Sequence, residues 1–498
     1  VKDERQNQTP FYTKLREYAM SHPVPFDVPG HKLGRIQNDM IDFVGLPMFE
    51  LDSNAPLGLD TLSKPTGVIK EAETLMAEAT GADKAYFLTN GTTVGILAMI
   101  MASVRAKEKI IMPRNVHKSA INALILSGAM PVFIKPDIDT DLGIANGVSF
   151  DAVRKAIHKH PDAKAVFVIN PTYFGMTSEL EKIVALAHEN NMTVLVDEAH
   201  GSQFYFSSRL PKTAMELCAD ISASSMHKTG GSLTQSSILL VKGERVDLVR
   251  LRSTLNMLQS TSPNSLLLAS LDCARKTMYF EGEQLIGKVL DMAAKARERI
   301  KAIPGLHIVD RDYVKRRGNF DFDETKLVIK VSELGVTGFD VLKEIRRKYN
   351  IQLELSESHI ILAVLTAGTT KDDLESLILA LKDLSKRYYK VRNKLPKIDF
   401  GYQFPETYSR PREAYHAPKM SVPLADAAGE ISAESIMIYP PGIPLVIPGE
   451  IISKDVVEDI EFYIKNGSVI HSDLDNGYVK IVDRLNWEKY EGESEDEF

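Results

Sequence analysis

The chain is short of the residues that cross-link proteins and build metal centres: its 498 residues include two cysteines, Cys218 and Cys273, and one tryptophan. Two thiols with no cysteine or histidine at metal-ligand spacing argue against a disulfide framework and a cysteine zinc site. Reduced, buried thiols and no bound metal are expected. Long apolar runs are missing too. Nothing reaches the roughly 20 apolar residues of a bilayer span, and the opening VKDERQNQTP lacks the apolar core of a secretion signal. A cytoplasmic protein with no membrane partner is the expectation. Nor is there an excess of basic charge: 60 Lys and Arg against 67 Asp and Glu leave a net charge of -7, which disfavours nucleic acid as a partner and is compatible with a cationic small molecule.

Several motifs are absent as well. DEAH at 197–200 copies a helicase box in letters, but no phosphate-binding GxxxxGK[ST] loop precedes it. HENNM near 188 lacks the second histidine of HExxH, and no GxGxxG opens the first βα unit. Zinc-hydrolase and dinucleotide chemistry therefore lose support. There is no internal repeat, and the one low-complexity stretch, the acidic EKYEGESEDEF end, is expected to be solvated.

What is present reads as an α/β enzyme of several domains. Hydrophobic residues make up 44% and charged residues 26%, an ordinary globular composition, and the length allows two or three cores. Residues 1-65 read as an N-terminal arm: an amphipathic helix with Phe11, Leu15 and Tyr18 on one face, then proline-punctuated chain that packs on a larger body or on a partner subunit. Residues 66-304 alternate helices with short apolar strands at 85–89, 109–113, 131–136, 164–170, 192–198 and 236–241, and the two central ones are apolar almost throughout. That pattern predicts a mainly parallel, doubly wound sheet covered on both faces, which binds ligands beyond the carboxyl ends of its strands. Long helices are expected at 245–258 and 264–303. A smaller α+β unit follows at 305-392, and a C-terminal domain at 393-498.

The candidate chemistry falls at those strand ends. After AYFLT comes NGTTVG, a turn opening a helix, where Gly91 permits close approach and Thr92 and Thr93 add hydroxyls to a dipole that favours phosphate. VLVDEAHG ends a second strand with Asp197, Ala199 and His200. SASSMHKT brings Ser225, His227 and Lys228 to one point, and His117 starts a helix in PRNVHKS. A lysine amine and a carboxylate at neighbouring strand ends are the pair that a pyridoxal 5'-phosphate site needs. Each piece alone is commonly structural; the set in this order is not.

On PGHKLG, NGTT, PRNVHKS, INPTYFG, VDEAHG, SSMHKTGGSLTQSS, STSPN, RPREAY and YPPGIPLVIPGE, the chain resembles the fold-type I Orn/Lys/Arg decarboxylases, and most closely the short arginine decarboxylases of Gram-positive bacteria. The resemblance implies that Lys228 holds the cofactor covalently, Asp197 pairs with the pyridine nitrogen, His117 and Ala199 lie on the two ring faces and His200 approaches the ring hydroxyl. It further implies that Gly91, Thr92, Thr93, Ser225 and His227 bind the phosphate. A hydroxyl from a neighbouring subunit, mapped to Thr261, completes that site in a homodimer or dimer of dimers. The reaction implied is L-arginine to agmatine and CO2, in polyamine biosynthesis, with lysine or ornithine as alternative substrates. Glu450 is a candidate for the distal cationic group. An aminotransferase is the rival reading, with Arg410 and Arg412 as candidate carboxylate clamps. Large acid-stress relatives carry an N-terminal wing that builds decamers; this chain starts near the linker, so decamers are not expected.

Overall fold

The computed structural model describes residues 2–316, 320–395, 405–439, 443–465, 469–472 and 477–487. At its centre is a sheet of seven strands in the order Lys84–Leu88, Ser237–Val241, Ile221–Ser224, Thr193–Asp197, Ala165–Ile169, Lys109–Pro113, Met130–Ile134. The central pairings are parallel, and Ser237–Val241 runs antiparallel to both of its neighbours. The expected mainly parallel, two-sided α/β sheet is therefore what forms.

Side-chain alternation explains why both faces are covered. Val166, Val168, Val194 and Val196 enter one core, while Ala165, Phe167 and Leu195 enter the core on the opposite face. A strand buried on both sides must be apolar at odd and even positions alike, hence runs such as AVFVI and TVLV. The same alternation splits the acidic pair that follows. Asp197 ends its strand level with Ile169 and Ala223. Glu198 is buried elsewhere, accepting the Ala214 N–H at 2.8 Å and the Tyr205 hydroxyl.

The expected long helix is Ser265–Lys301, about 55 Å at 1.5 Å per residue, and it serves two cores. Leu268, Leu271, Met278 and Ile286 pack against the central sheet. Val289, Ala293, Ala296 and Ile300 pack against a four-stranded antiparallel sheet ordered His307–Ile308, Lys326–Lys330, Ile360–Val364, Leu355–Ser356. The IQLEL stretch forms a strand of only two residues because the chain bends at Glu354, which still donates its N–H to Leu362 O at 3.0 Å. A short ladder, Asp321–Phe322 with Met176–Thr177, fastens this unit to the large body.

The arm is anchored at its beginning and bare further on. Phe11 and Leu15 are buried, and Tyr18 is partly so. The Asp272 carboxylate accepts the Phe11 and Tyr12 N–H groups at 3.0 and 3.3 Å, while Arg275 donates to Gln6 O at 2.6 Å. Downstream, Phe26 and Phe43 stand 94% and 93% exposed. The thiols are free, but Cys218 is exposed rather than buried, in a turn with φ of 58° before the Ile221–Ser224 strand; Cys273 is half-buried. Among the described residues no helix is long and apolar enough to cross a membrane.

Candidate active site

A cavity of about 570 Å³ opens at the carboxyl ends of the central strands. Gly91, Thr92, Thr93, His117, Asp197, Ala199, His200, Ser225, His227 and Lys228 all line it, brought from four separate stretches of sequence. Lys228 and His227 lie on a single π-helical turn, Met226–Gly230, that follows the Ile221–Ser224 strand. Such a wide turn re-aims consecutive side chains and is a frequent mark of functional sites.

Three features make one end of the cavity fit an anion. The helix Gly91–Ser103 begins at Asn90 without a side-chain cap, which leaves its first-turn N–H groups to other partners. Beneath them Thr92 Oγ1 lies 2.5 Å from Ser225 Oγ and 2.8 Å from Ser237 Oγ, a buried hydroxyl cluster. Beside them His227 Nδ1 is 2.9 Å from the Ser236 carbonyl. A carbonyl only accepts, so the Nδ1 proton is fixed there.

The other end carries the titratable groups. Asp197 is buried, and one carboxylate oxygen accepts the Ala199 N–H at 3.1 Å. Burial pushes its carboxyl above the ordinary range, opposed by that hydrogen bond and by Lys228. Lys228 can be reached from the cavity but is walled by protein on its other sides; desolvation outweighs the pull of Asp197 and brings its ammonium down to about 8. Its Nζ is 2.9 Å from His200 Nε2. His117 caps the helix Lys118–Ser127, its Nδ1 accepting the Ser119 N–H at 3.2 Å, which puts the proton of the neutral ring on Nε2. Burial, then the Lys228 and Lys118 charges, holds this imidazole down at about 4.

Two expected residues are elsewhere. Thr261 is exposed on the 260–264 loop and does not line the cavity of its own chain. The expectation that Glu450 meets the substrate is corrected: it is buried in a bidentate pair with Arg114 at 2.8 and 2.6 Å and also accepts the Ile447 N–H at 3.0 Å. Its oxygens are consumed in tying the C-terminal segment to the chain just before His117. Part of its motif, residues 440–442, lies outside the described residues. Arg410 and Arg412 are likewise engaged elsewhere, with Glu413 and with the Leu126 carbonyl, and no arginine is among the described residues that line the cavity.

The cavity also contains groups that the sequence reading passed over. The Tyr173 ring lies 4.1 Å from His200, centroid to centroid, and its hydroxyl bonds Glu354. Glu354 is exposed at the cavity and, with Asp197, is one of the two carboxylates among the described residues that line it. INPTYFG was visible as a motif, but nothing local assigned its tyrosine to a histidine. Among the described residues no cluster of three or more His, Cys, Asp or Glu could hold a metal ion.

A mixed α/β sheet with a lysine, a carboxylate and a hydroxyl cradle at its strand ends is the architecture of fold-type I enzymes, the class that uses pyridoxal phosphate. The solved structure of a lysine decarboxylase from Francisella novicida superposes with a TM-score of 0.83 at 22% identity, covering 96% of this chain and 82% of that one. An alanine–glyoxylate aminotransferase from Nostoc gives 0.53 at 17% identity, over 67% of this chain and 89% of that one. Within that class the chain belongs to the Orn/Lys/Arg decarboxylase family: the family's major domain matches residues 9–373 and its C-terminal domain residues 399–470. The arginine decarboxylase of Bacillus subtilis is 43% identical over 93% of this chain and 94% of its own length. That of Halalkalibacterium halodurans is 44% identical over 90% and 92%.

Proposed function

We propose that the protein decarboxylates L-arginine to agmatine and CO2, with pyridoxal 5'-phosphate held by Lys228, as a step toward polyamine biosynthesis in the cytoplasm. The observation that carries the chemistry is the Lys228 amine, 2.9 Å from His200 and facing the same cavity as Asp197 and the Thr92–Ser225 cradle. Similarity to the Bacillus and Halalkalibacterium enzymes supports arginine over lysine or ornithine.

The residues fit this cofactor. Uncapped N–H groups, two hydroxyls and the His227 ring suit a phosphate, and the Asp197 carboxylate suits a protonated ring nitrogen. When bound, pyridoxal phosphate supplies the electron sink for the bond to the departing carboxyl carbon. Asp197 keeps that sink strong by favouring positive charge at the ring nitrogen. His117 and Ala199 would hold the ring between them, and the neutral His117 would donate its Nε2–H as a hydrogen bond that orients the substrate carboxylate. Glu354, steadied by Tyr173, accepts the guanidinium, for which a planar bidentate partner is the best match.

We also read the active unit as a homodimer or a dimer of dimers. The exposed Phe26 and Phe43 suit burial against a second copy, and the partner subunit's Thr261 completes the phosphate site.

The decisive assay incubates the enzyme with arginine, lysine and ornithine and identifies both CO2 and the amine. Arginine is expected to have the highest kcat/KM, and a keto acid formed without CO2 overturns the reading in favour of transamination. Lys228→Ala is expected to abolish borohydride-fixed cofactor; persistence of the label assigns the covalent lysine elsewhere.

A further inference from the structure

His200 touches a second lysine, which lies outside the cavity lining and on the other sheet. Lys326 opens the strand Lys326–Lys330, is fully buried, and places Nζ 3.3 Å from His200 Nδ1. Its stem passes over Gly175, where a Cβ would sit 2.9 Å from Lys326 Cγ and φ is +91°. One imidazole thus bridges two amines, Lys326 on Nδ1 and Lys228 on Nε2.

That bridge is selective in charge. An ammonium donates and never accepts, and a neutral imidazole has one donor and one acceptor nitrogen. With both contacts kept, only one lysine can be charged. Burial and the surrounding cations hold His200 well below the usual histidine range, so the ring is neutral. Lys326 has its own counter-charge: Asp323, whose carboxylate accepts the Thr325 N–H at 3.0 Å and hydroxyl at 2.6 Å. Burial lowers the Lys326 ammonium and raises the Asp323 carboxyl, and their mutual attraction together with the Thr325 bonds opposes both shifts.

We propose that Lys326 is a positioning residue: as an ammonium donating to His200 Nδ1, it fixes the imidazole proton on Nε2 and thereby favours the free-amine form of Lys228. The inference rests on the reading of Lys228 as the covalent lysine and deepens it, because only the amine attacks a carbonyl. It also leaves His200 with an N–H donor facing the cavity. Asp197 and Glu354 favour the Lys228 ammonium and Lys326 opposes it; His117, His200 and His227 complete the surrounding titratable groups.

The test uses cofactor-free enzyme, so it does not depend on turnover. Imidazole nitrogen chemical shifts, assigned by loss of the signal in His200→Gln, are expected to show the Nε2–H form in the wild type. In Lys326→Met the ring is expected to shift toward Nδ1–H. In the same variant the pH midpoint for reaction of Lys228 with pyridoxal, followed by borohydride and peptide mass, should rise by about one unit, a tenfold loss of amine at neutral pH. Lys326→Arg should restore both readouts. A wild-type Nδ1–H ring overturns the proposal without the Lys326 variants, even if Lys326→Met does not fold. Unchanged tautomer and midpoint in a folded Lys326→Met overturn it too. Neither result touches the Lys228→Ala labelling experiment, so this proposal and the cofactor assignment fail separately.

Discussion

At the scale of single residues, the strand period places chemically similar neighbours in opposite duties. Asp197 faces the cavity, whereas Glu198 points into the protein, where burial pushes its carboxyl up to about 8. Its folded pKa lies above the unfolded value, so it favours the fold fully below about 4.5 and loses that contribution as pH rises toward 8. Glu198→Gln, which keeps a group to accept the Ala214 N–H, should therefore flatten the pH dependence of stability. Its Tm relative to the wild type is expected to climb between pH 5 and 8, and parallel curves in calorimetry would contradict this. In the phosphate cradle, Thr92→Val removes the hydroxyl shared by Ser225 and Ser237. Cofactor affinity measured by fluorescence titration should fall about tenfold, as for loss of one charge-assisted hydrogen bond. Lys228, Asp197 and Thr92 were legible because each belongs to a strand-end motif whose chemistry is local. Tyr173, Glu354 and Lys326 were not, because what makes them matter is a contact across 27, 181 and 126 positions respectively. Glu450 misled for the converse reason: its motif is local, but the face it presents was settled by Arg114, 336 positions away.

At the scale of elements, the sheet was readable from its apolar runs, and the shortness of the strand Leu355–Ser356 was not, since the bend at Glu354 leaves no mark in hydrophobic alternation. The first helix, Pro10–Met20, is attached through a different device. Its leading N–H groups end on Asp272, and Arg275 binds the carbonyls just before it, with both side chains 0% exposed. Removing one member of a buried pair leaves the other uncompensated, at about 3–5 kcal/mol. Asp272→Ala should lower stability by that order and make residues 2–20 the first site of limited proteolysis. Protection of that segment equal to the wild type would show that packing of Phe11 and Leu15 suffices.

At the scale of the whole molecule, three ties fasten chain segments that adjoin the cavity lining: the Asp321–Phe322 ladder, the Lys326–His200 contact and the Arg114–Glu450 pair. Glu450→Ala should cost about 3–5 kcal/mol through the stranded Arg114 and raise hydrogen exchange in both 443–452 and 109–118, because the pair joins those segments. An effect confined to the C-terminal segment would mean that the strand Lys109–Pro113 holds His117 unaided. The Lys326 contact also has a consequence in time. The ribosome finishes the stretch containing Lys228 about a hundred residues before it reaches Lys326, roughly 5–20 s at ordinary elongation rates. During that interval a nascent chain owns its phosphate cradle but not the ammonium that favours the free amine of Lys228, so the carbonyl-trapping form of the amine matures last.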